Sequence, residues 1–164
     1  MRLMQSGTIF LSIVLCLALT ACGFHMRETT ELPVTLQQVK LEGISIESGF
    51  GRVLKDSFTD ARSDLVTNKK SNTLLQISGL DESRRTASFD ADLDVRQYLI
   101  YILFDYKIVV DGKTVATHRI KLDKTMNYDA DYVLGKKEEQ QQIRKALRED
   151  AARLILLRLK SLAV

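Results

Sequence analysis

Tryptophan is absent from this chain of 164 residues, proline occurs once, and histidine and cysteine occur twice each. Each shortage removes a class of protein. Two cysteines cannot form a multi-bridge disulfide framework, and Cys16 lies inside an apolar stretch near the start. A single proline, Pro33, and the lack of any low-complexity tract argue against a disordered or linker-like chain. Charge of one sign is also missing: 24 basic and 21 acidic residues leave a formal net charge of +3. So small a balance does not favour a nucleic-acid binder, although local basic clusters can still hold a particular anion. What is present is 45% hydrophobic and 27% charged residues, the composition of one globular domain with a sizeable core.

The first 21 residues carry Arg2 as their only charged side chain, then an apolar stretch from Thr8 to Leu19. That stretch is shorter than the roughly 20 residues a bilayer crossing needs, and it matches the h-region of a signal peptide behind a short basic start. Leu19-Thr20-Ala21-Cys22 resembles a bacterial lipobox, with small residues before a cysteine whose sulfur takes a diacylglycerol. The expectation is a signal peptide over residues 1–21, an acylated tether over 22–35 and a single α+β domain over 36–164. Several acyl chains on Cys22, at about 0.8 kcal/mol per buried CH₂, hold a protein on a membrane without a spanning helix. Gly23 follows the cysteine; resemblance to bacterial lipoproteins implies that the absence of Asp there permits onward sorting to the outer membrane.

Beyond the tether, Val34, Leu36, Val39 and Leu41 alternate imperfectly before Gly43 and suggest a strand. Phe50, Val53, Leu54, Phe58, Ala61 and Leu65 recur at helical steps, predicting an amphipathic helix. Turn formers from Asn68 to Asn72 precede a second strand that begins at Thr73 and extends as far as Leu80 or Phe89. The clearest strand is Arg96 to Val110, with Tyr98, Ile100, Ile102, Phe104, Tyr106, Ile108 and Val110 on one face and a mixed set on the other. Asp111-Gly112 predicts a type I′ hairpin into a strand over Thr114 to Met126. A last helix is expected from about Glu138, with Ile143, Leu147, Ala151, Leu154, Ile155 and Leu162 buried, and Leu156, Leu157 and Leu159 widening the stripe. The predicted fold is a two-layer α+β sandwich, two helices packed on one four-stranded mixed sheet in the order βαβββα. One sheet face is left free to meet something.

Catalytic chemistry finds little support. His25 lies in the tether and His118 alternates with strand residues, and neither has a nucleophile or metal-ligand spacing around it. No Gly-x-Ser-x-Gly, Walker or His-Glu-x-x-His motif occurs. Asp90-Ala91-Asp92-Leu93-Asp94 opens like a calcium loop, but Val95 and Tyr101 stand where such a loop needs its Gly and its bidentate Glu, so it reads as a solvated acidic hairpin. Gly49-Phe50-Gly51 lacks the rest of a nucleotide fingerprint and reads as a helix start. No metal or cofactor is implied. Among the basic groups, Lys136-Lys137 stands out: it follows Gly135 and precedes the expected helix start, where positive charge opposes the helix dipole. An anion there could meet both ammonium groups and free backbone N–H groups.

Cys22-Gly23-Phe24-His25-Met26-Arg27 after the lipobox, Thr86-Ala87-Ser88 before the central hairpin, and the loop and helix from Asn127 through Glu139-Gln140 to Leu159 together resemble the LPS-assembly lipoprotein family, LptE. The resemblance implies a non-enzymatic outer-membrane lipoprotein whose domain plugs the lumen of a large β-barrel, LptD, and assists lipopolysaccharide into the outer leaflet. It also implies lipopolysaccharide contact through basic residues. One such position carries over onto Lys136, with Lys137 beside it. A second falls on the acidic Asp90 to Asp94, so Arg85 or Arg96 would have to substitute from the strand ends. The residues by themselves leave two other readings open. One is a free-standing periplasmic lipoprotein using its open sheet face for another ligand or peptidoglycan; the other is a small hydrolase built on Asp92 and Asp94.

Overall fold

The computed structural model describes residues 32, 36–68, 70–129 and 132–162. The expected signal peptide, Cys22 and His25 lie outside the described residues. Leu32, expected in the tether, is buried, and its N–H donates to the Ala61 carbonyl at 3.1 Å.

The chain runs β1 (Gln38–Glu42), α1 (Gly49–Asp60), β2 (Asp64–Val66), β3 (Thr73–Phe89), β4 (Val95–Val110), β5 (Lys113–Asn127) and α2 (Val133–Leu162). The five strands form one sheet in the order β2-β1-β3-β4-β5. β1 is parallel to both β2 and β3, and β3, β4 and β5 are successive antiparallel neighbours. Two helices on a mixed sheet match the expected class, but the sheet has five strands, not four, and the order is βαββββα.

The extra strand was hidden inside the predicted helix. Arg62 takes a left-handed conformation at φ 57°, so that its N–H bonds the Thr59 carbonyl and the Ser63 N–H bonds the Phe58 carbonyl. This is the hydrogen-bond pattern of a Schellman cap, whose left-handed position is usually glycine. With arginine there the stop is silent in the sequence, and Leu65 passes from the expected helical stripe to a buried position on β2. The buried Ser63 hydroxyl completes the change of direction by donating to the Leu36 carbonyl at 2.6 Å.

Both helices cover the sheet face that carries Ile100, Ile102, Phe104, Tyr106 and Ile108, all buried as their alternation predicts. From α1 come Phe50, Leu54 and Phe58, with the Phe50 and Phe104 rings 5.0 Å apart. From α2 come Leu147, Ala151, Ala152, Ile155, Leu156 and Leu159. Leu154 and Leu157, expected in the same buried stripe, are instead 44% and 48% exposed. They lie on the side of α2 that overhangs the edge strand β5, where the sheet ends and nothing covers them among the described residues. The opposite sheet face is mixed, as expected: Arg119 makes a two-point hydrogen bond with Asp105 at 2.8 Å, and the Tyr101 hydroxyl donates to Asp81 at 2.9 Å. Hydrogen bonding from Arg119 holds the Asp105 carboxyl below its usual value.

The Asp111-Gly112 turn has φ 49° and 76°, the two positive values a type I′ turn requires. In β3, one extra residue disturbs the register between Ser78 and Asp81, with Gly79 at φ 64°. Such a bulge reverses which side chains face the core. Thr73, Leu75 and Ile77 point inward before it, whereas Glu82 and Arg84 reach α2 after it.

The Gly49-Phe50-Gly51 segment is a helix start, as read. Ser48 caps it by accepting from the Gly51 N–H at 3.0 Å. Gly51 is required by contact: a Cβ there would lie 2.0 Å from the Ser45 carbonyl oxygen. Gly→Ala within a helix ordinarily stabilises by up to about 1 kcal/mol, but here Gly51→Ala should destabilise by about 1–3 kcal/mol through overpacking. Thermal unfolding followed by circular dichroism gives the sign directly.

Candidate functional site

α2 begins at Val133, more than a turn before the expected Glu138, after a turn in which the Tyr132 N–H bonds the Asp129 carbonyl at 3.3 Å. Lys136 and Lys137 are therefore inside the helix and not in front of it. Glycine is a poor stop in the first turn, where its flexibility costs little, and Gly135 is simply the third helical residue. The Lys136 ammonium donates to the Glu139 carboxylate at 2.8 Å, one turn on, and its side chain is only 22% exposed.

Lys136 lines a cavity of about 630 Å³ at this end of the molecule. Arg96, at the start of β4, lines the same cavity, together with Asn127, Tyr128 and Asp129 from the end of β5 and beyond. Tyr132, Gly135 and Glu139 complete the wall from the α2 side. The sheet brings these groups together. Gln97 pairs with Asn127 in the ladder, its side-chain amide donates to the Asn127 side-chain Oδ1 at 2.9 Å, and the Tyr128 N–H bonds the Arg96 backbone carbonyl at 2.9 Å. Residues 31 apart in sequence thus face one space with Lys136. Arg96 has no side-chain hydrogen bond or ion pair among the described residues.

The other two basic candidates lie elsewhere. Arg85 pairs with Leu99 in the ladder, one residue out of phase with Arg84 and Ile100, and so sits on the opposite sheet face. Lys137 is exposed and outside the cavity wall. Arg84 is the arginine of that pair that turns toward α2. Its guanidinium lies 4.3 Å from the Tyr98 ring centroid and donates to Gln140 at 3.0 Å. Tyr98 in turn meets Tyr128 edge to face at 5.2 Å, so a row of Arg84, Tyr98 and Tyr128 backs the cavity. Sequence reading missed Tyr128 and Arg84: the tyrosine lies in a loop with no motif, and the arginine's side was set by the bulge at Gly79. The acidic stretch is a closed hairpin loop, with Asp90 Oδ1 accepting from the Asp92 and Asp94 N–H groups at 3.0 and 2.9 Å. Among the described residues no cluster of three or more His, Cys, Asp or Glu side chains is placed to hold a metal ion.

One clamp fixes α2 over the sheet. Glu82 of β3 receives two-point hydrogen bonds from Arg148, at 2.9 Å and 2.5 Å for the closest contact of each nitrogen, and its backbone carbonyl accepts from Arg144 at 3.0 Å. The carboxylate hydrogen bonds push the Arg148 guanidinium above its ordinary value. A Cβ on Gly49 would lie 2.8 Å from that guanidinium, so the clamp also rests on the start of α1.

The lipopolysaccharide-assembly profile of the LptE family matches residues 34–159. The chain belongs to the LptE family. It is 23% identical over 159 residues to the LPS-assembly lipoprotein LptE of Yersinia enterocolitica, a match covering 95% of this chain and 77% of that protein. It is likewise 23% identical over 140 residues to LptE of Pectobacterium atrosepticum, covering 84% of this chain and 76% of that one. Among solved structures, it resembles lipoprotein B from Nitrosomonas europaea at a TM-score of 0.70 and 21% identity, over 85% of this chain and 92% of that one. Rare lipoprotein B from Shewanella oneidensis gives a TM-score of 0.65 at 19% identity, over 76% and 94%. These relatives agree with the lipoprotein and lipopolysaccharide-assembly theme expected from the sequence, and the structural likenesses show the fold. Among the described residues no helix is long and apolar enough to cross a membrane.

The clamp gives this LptE chain a measurable dependence on one carboxylate. Glu82→Gln leaves the half-buried Arg148 without a counter-charge and should cost about 2 kcal/mol. Urea unfolding should show a lower midpoint with an unchanged slope, because the surface exposed on unfolding stays the same.

Proposed function

We propose that this chain is a non-enzymatic outer-membrane lipoprotein, anchored by acyl chains on Cys22, that assists an LptD-type β-barrel in placing lipopolysaccharide in the outer leaflet. Residues 1–21 are the cleaved signal peptide, 22–35 include the tether, and the α+β domain sits at the periplasmic side and within the barrel lumen as its plug. Family membership supports the role, and the cavity at the start of α2 supports direct contact with lipopolysaccharide.

The observation that carries the contact is the chemistry of that one cavity. Arg96 and Lys136 are cations able to meet phosphate oxygens with charge-assisted hydrogen bonds. Asp129, Glu139 and Asn127 offer acceptors for hydroxyl groups, and Tyr128 and Tyr132 offer flat apolar surface. A simple anion site would not need the carboxylates. A phosphorylated sugar, the chemistry of a lipid A headgroup, uses all three kinds of group at once. Lys136 is held by Glu139 at 2.8 Å before a ligand arrives, so a phosphate would share or displace that carboxylate.

Lys136→Asp and Arg96→Ala should each weaken lipopolysaccharide binding at least about tenfold, the loss expected when a charged hydrogen bond is removed, while the melting temperature stays within a degree or two. Arg85→Ala and Lys137→Ala, outside the cavity, should stay within about twofold. Equal binding by all four would remove the cavity from the proposal. Purification of the tagged full-length protein from outer membranes tests the rest: a barrel partner in equal stoichiometry and an acyl mass on Cys22 are expected. Cys22→Ser should lose the acyl mass.

A further inference from the structure

β5 is the outer strand of the sheet, and among the described residues it pairs only with β4. Its register is regular from Ala116 to Asn127; the single irregularity lies nearer the turn, between Ile108 and Val109 on the partner strand. One side of its backbone is therefore an unpaired row of N–H and C=O groups. Proteins usually blunt such an edge because it templates strand pairing.

Beside this edge runs a groove. The last turns of α2 overhang β5 and leave a cleft of about 420 Å³, floored by Tyr106 and Ile120 and walled by His118 on the strand and Leu154, Leu157 and Arg158 on the helix. An edge strand facing an overhanging helix, with apolar side chains between them, is the geometry in which PDZ and PTB domains accept an extended peptide as an added strand. Leu154 and Leu157 are half exposed there, although a helix packing on a sheet would ordinarily bury leucines.

Charge narrows the occupant. From Ala151 to Leu162 the helix carries Arg153, Arg158 and Lys160 and no carboxylate. β5 carries Lys113, Arg119, Lys121 and Lys124 against Asp123 alone. Asp105 neutralises Arg119, and Asp150 is shared by Lys124 and Arg153, which leaves Arg158 on the cleft wall and Lys121 on the other face of β5 as surplus positive charge. A second copy of the chain would set the same cations edge to edge, and lysines on an edge act against that pairing. A lipid chain could fill the apolar cleft but would leave the strand's N–H and C=O groups unpaired.

We propose that the groove between β5 and α2 binds an extended segment of a partner protein, one that alternates apolar with acidic residues and adds to β5 as a sixth strand. Its apolar side chains enter the cleft against Leu154 and Leu157, one carboxylate in that row meets Arg158 on the cleft wall, and the carboxylates on its other face meet Lys121. The groove lies at the opposite end of α2 from the lipopolysaccharide cavity and does not depend on it.

The test presents a displayed library of random twelve-residue peptides to the detergent-solubilised full chain. Retained peptides are expected to alternate β-branched or aromatic residues with Asp or Glu. A synthetic copy of the most enriched one should slow amide hydrogen exchange at alternate residues between Thr117 and Thr125. Leu157→Glu and Arg158→Glu, both exposed, should each weaken it about tenfold with the melting temperature unchanged. No enrichment over the Leu157→Glu chain, enrichment of basic or helix-forming sequences, or exchange protection that spares β5 would overturn the proposal. A dimer in sedimentation that Leu157→Glu dissolves would overturn it in favour of a second copy. Leu157-dependent retention on phosphatidylethanolamine and phosphatidylglycerol vesicles would overturn it in favour of a lipid surface.

Discussion

One extra residue in β3 governs how the upper half of the molecule is held. Without the bulge at Gly79, strict alternation from Thr73, Leu75 and Ile77 would send the odd-numbered side chains toward the helices, placing Arg85 inward and Glu82 outward. The shift turns Glu82 to Arg148 and Arg84 to Tyr98 and Gln140. The Glu82 clamp pins α2 at its middle, and the Arg84 row supports it nearer its start. Lys136, one turn before Gln140, is thereby brought over the end of the sheet where Arg96 and Tyr128 emerge. Gly79 has open space around its Cβ position, so its value there is a left-handed backbone at low cost rather than a close approach.

Below the bulge the molecule is an ordinary apolar core, and above it polar contacts join the buried Ile100, Ile102 and Met126. Phe50, Phe58, Phe104 and the buried aliphatic residues pack α1 and the second half of α2 onto the sheet. The first half of α2 is fastened by arginines. Hydrogen bonds to a carboxylate and a carbonyl are directional where apolar packing is not, and they suit an element that must hold a cavity in a fixed shape. At the far end of the helix Ile155, Leu156 and Leu159 are still buried, while Leu154 and Leu157 beside them project past β5 and stay half exposed.

What the sequence discloses follows the same division. Alternation marked the long central strand, and Asp111-Gly112 marked its hairpin, because both are local signals with a fixed period or a fixed turn geometry. The silent cap at Arg62 hid β2, since the left-handed residue there is not glycine. Leu154 and Leu157 read as buried because periodicity tells which way a side chain points along a helix but not where the sheet beneath it stops. At the cavity, Lys136 was visible through its conflict with the helix dipole and the family pattern. The choice of Arg84 as the inward arginine was not, because one bulge decides it, and Tyr128 had no pattern at all to announce it.

The 30-residue helix α2 also separates what it carries. Lys136 and Leu157 stand 21 positions apart on it, about 32 Å along the axis at 1.5 Å per residue. Screening at physiological salt extends only about 8 Å. An anion bound at the first turns is therefore electrostatically invisible at the last ones, and so is a carboxylate arriving beside Arg158. Binding at either end can be tuned by changing charge without altering the other, unless the helix itself moves, and the Arg148 and Glu82 clamp midway holds it against such movement.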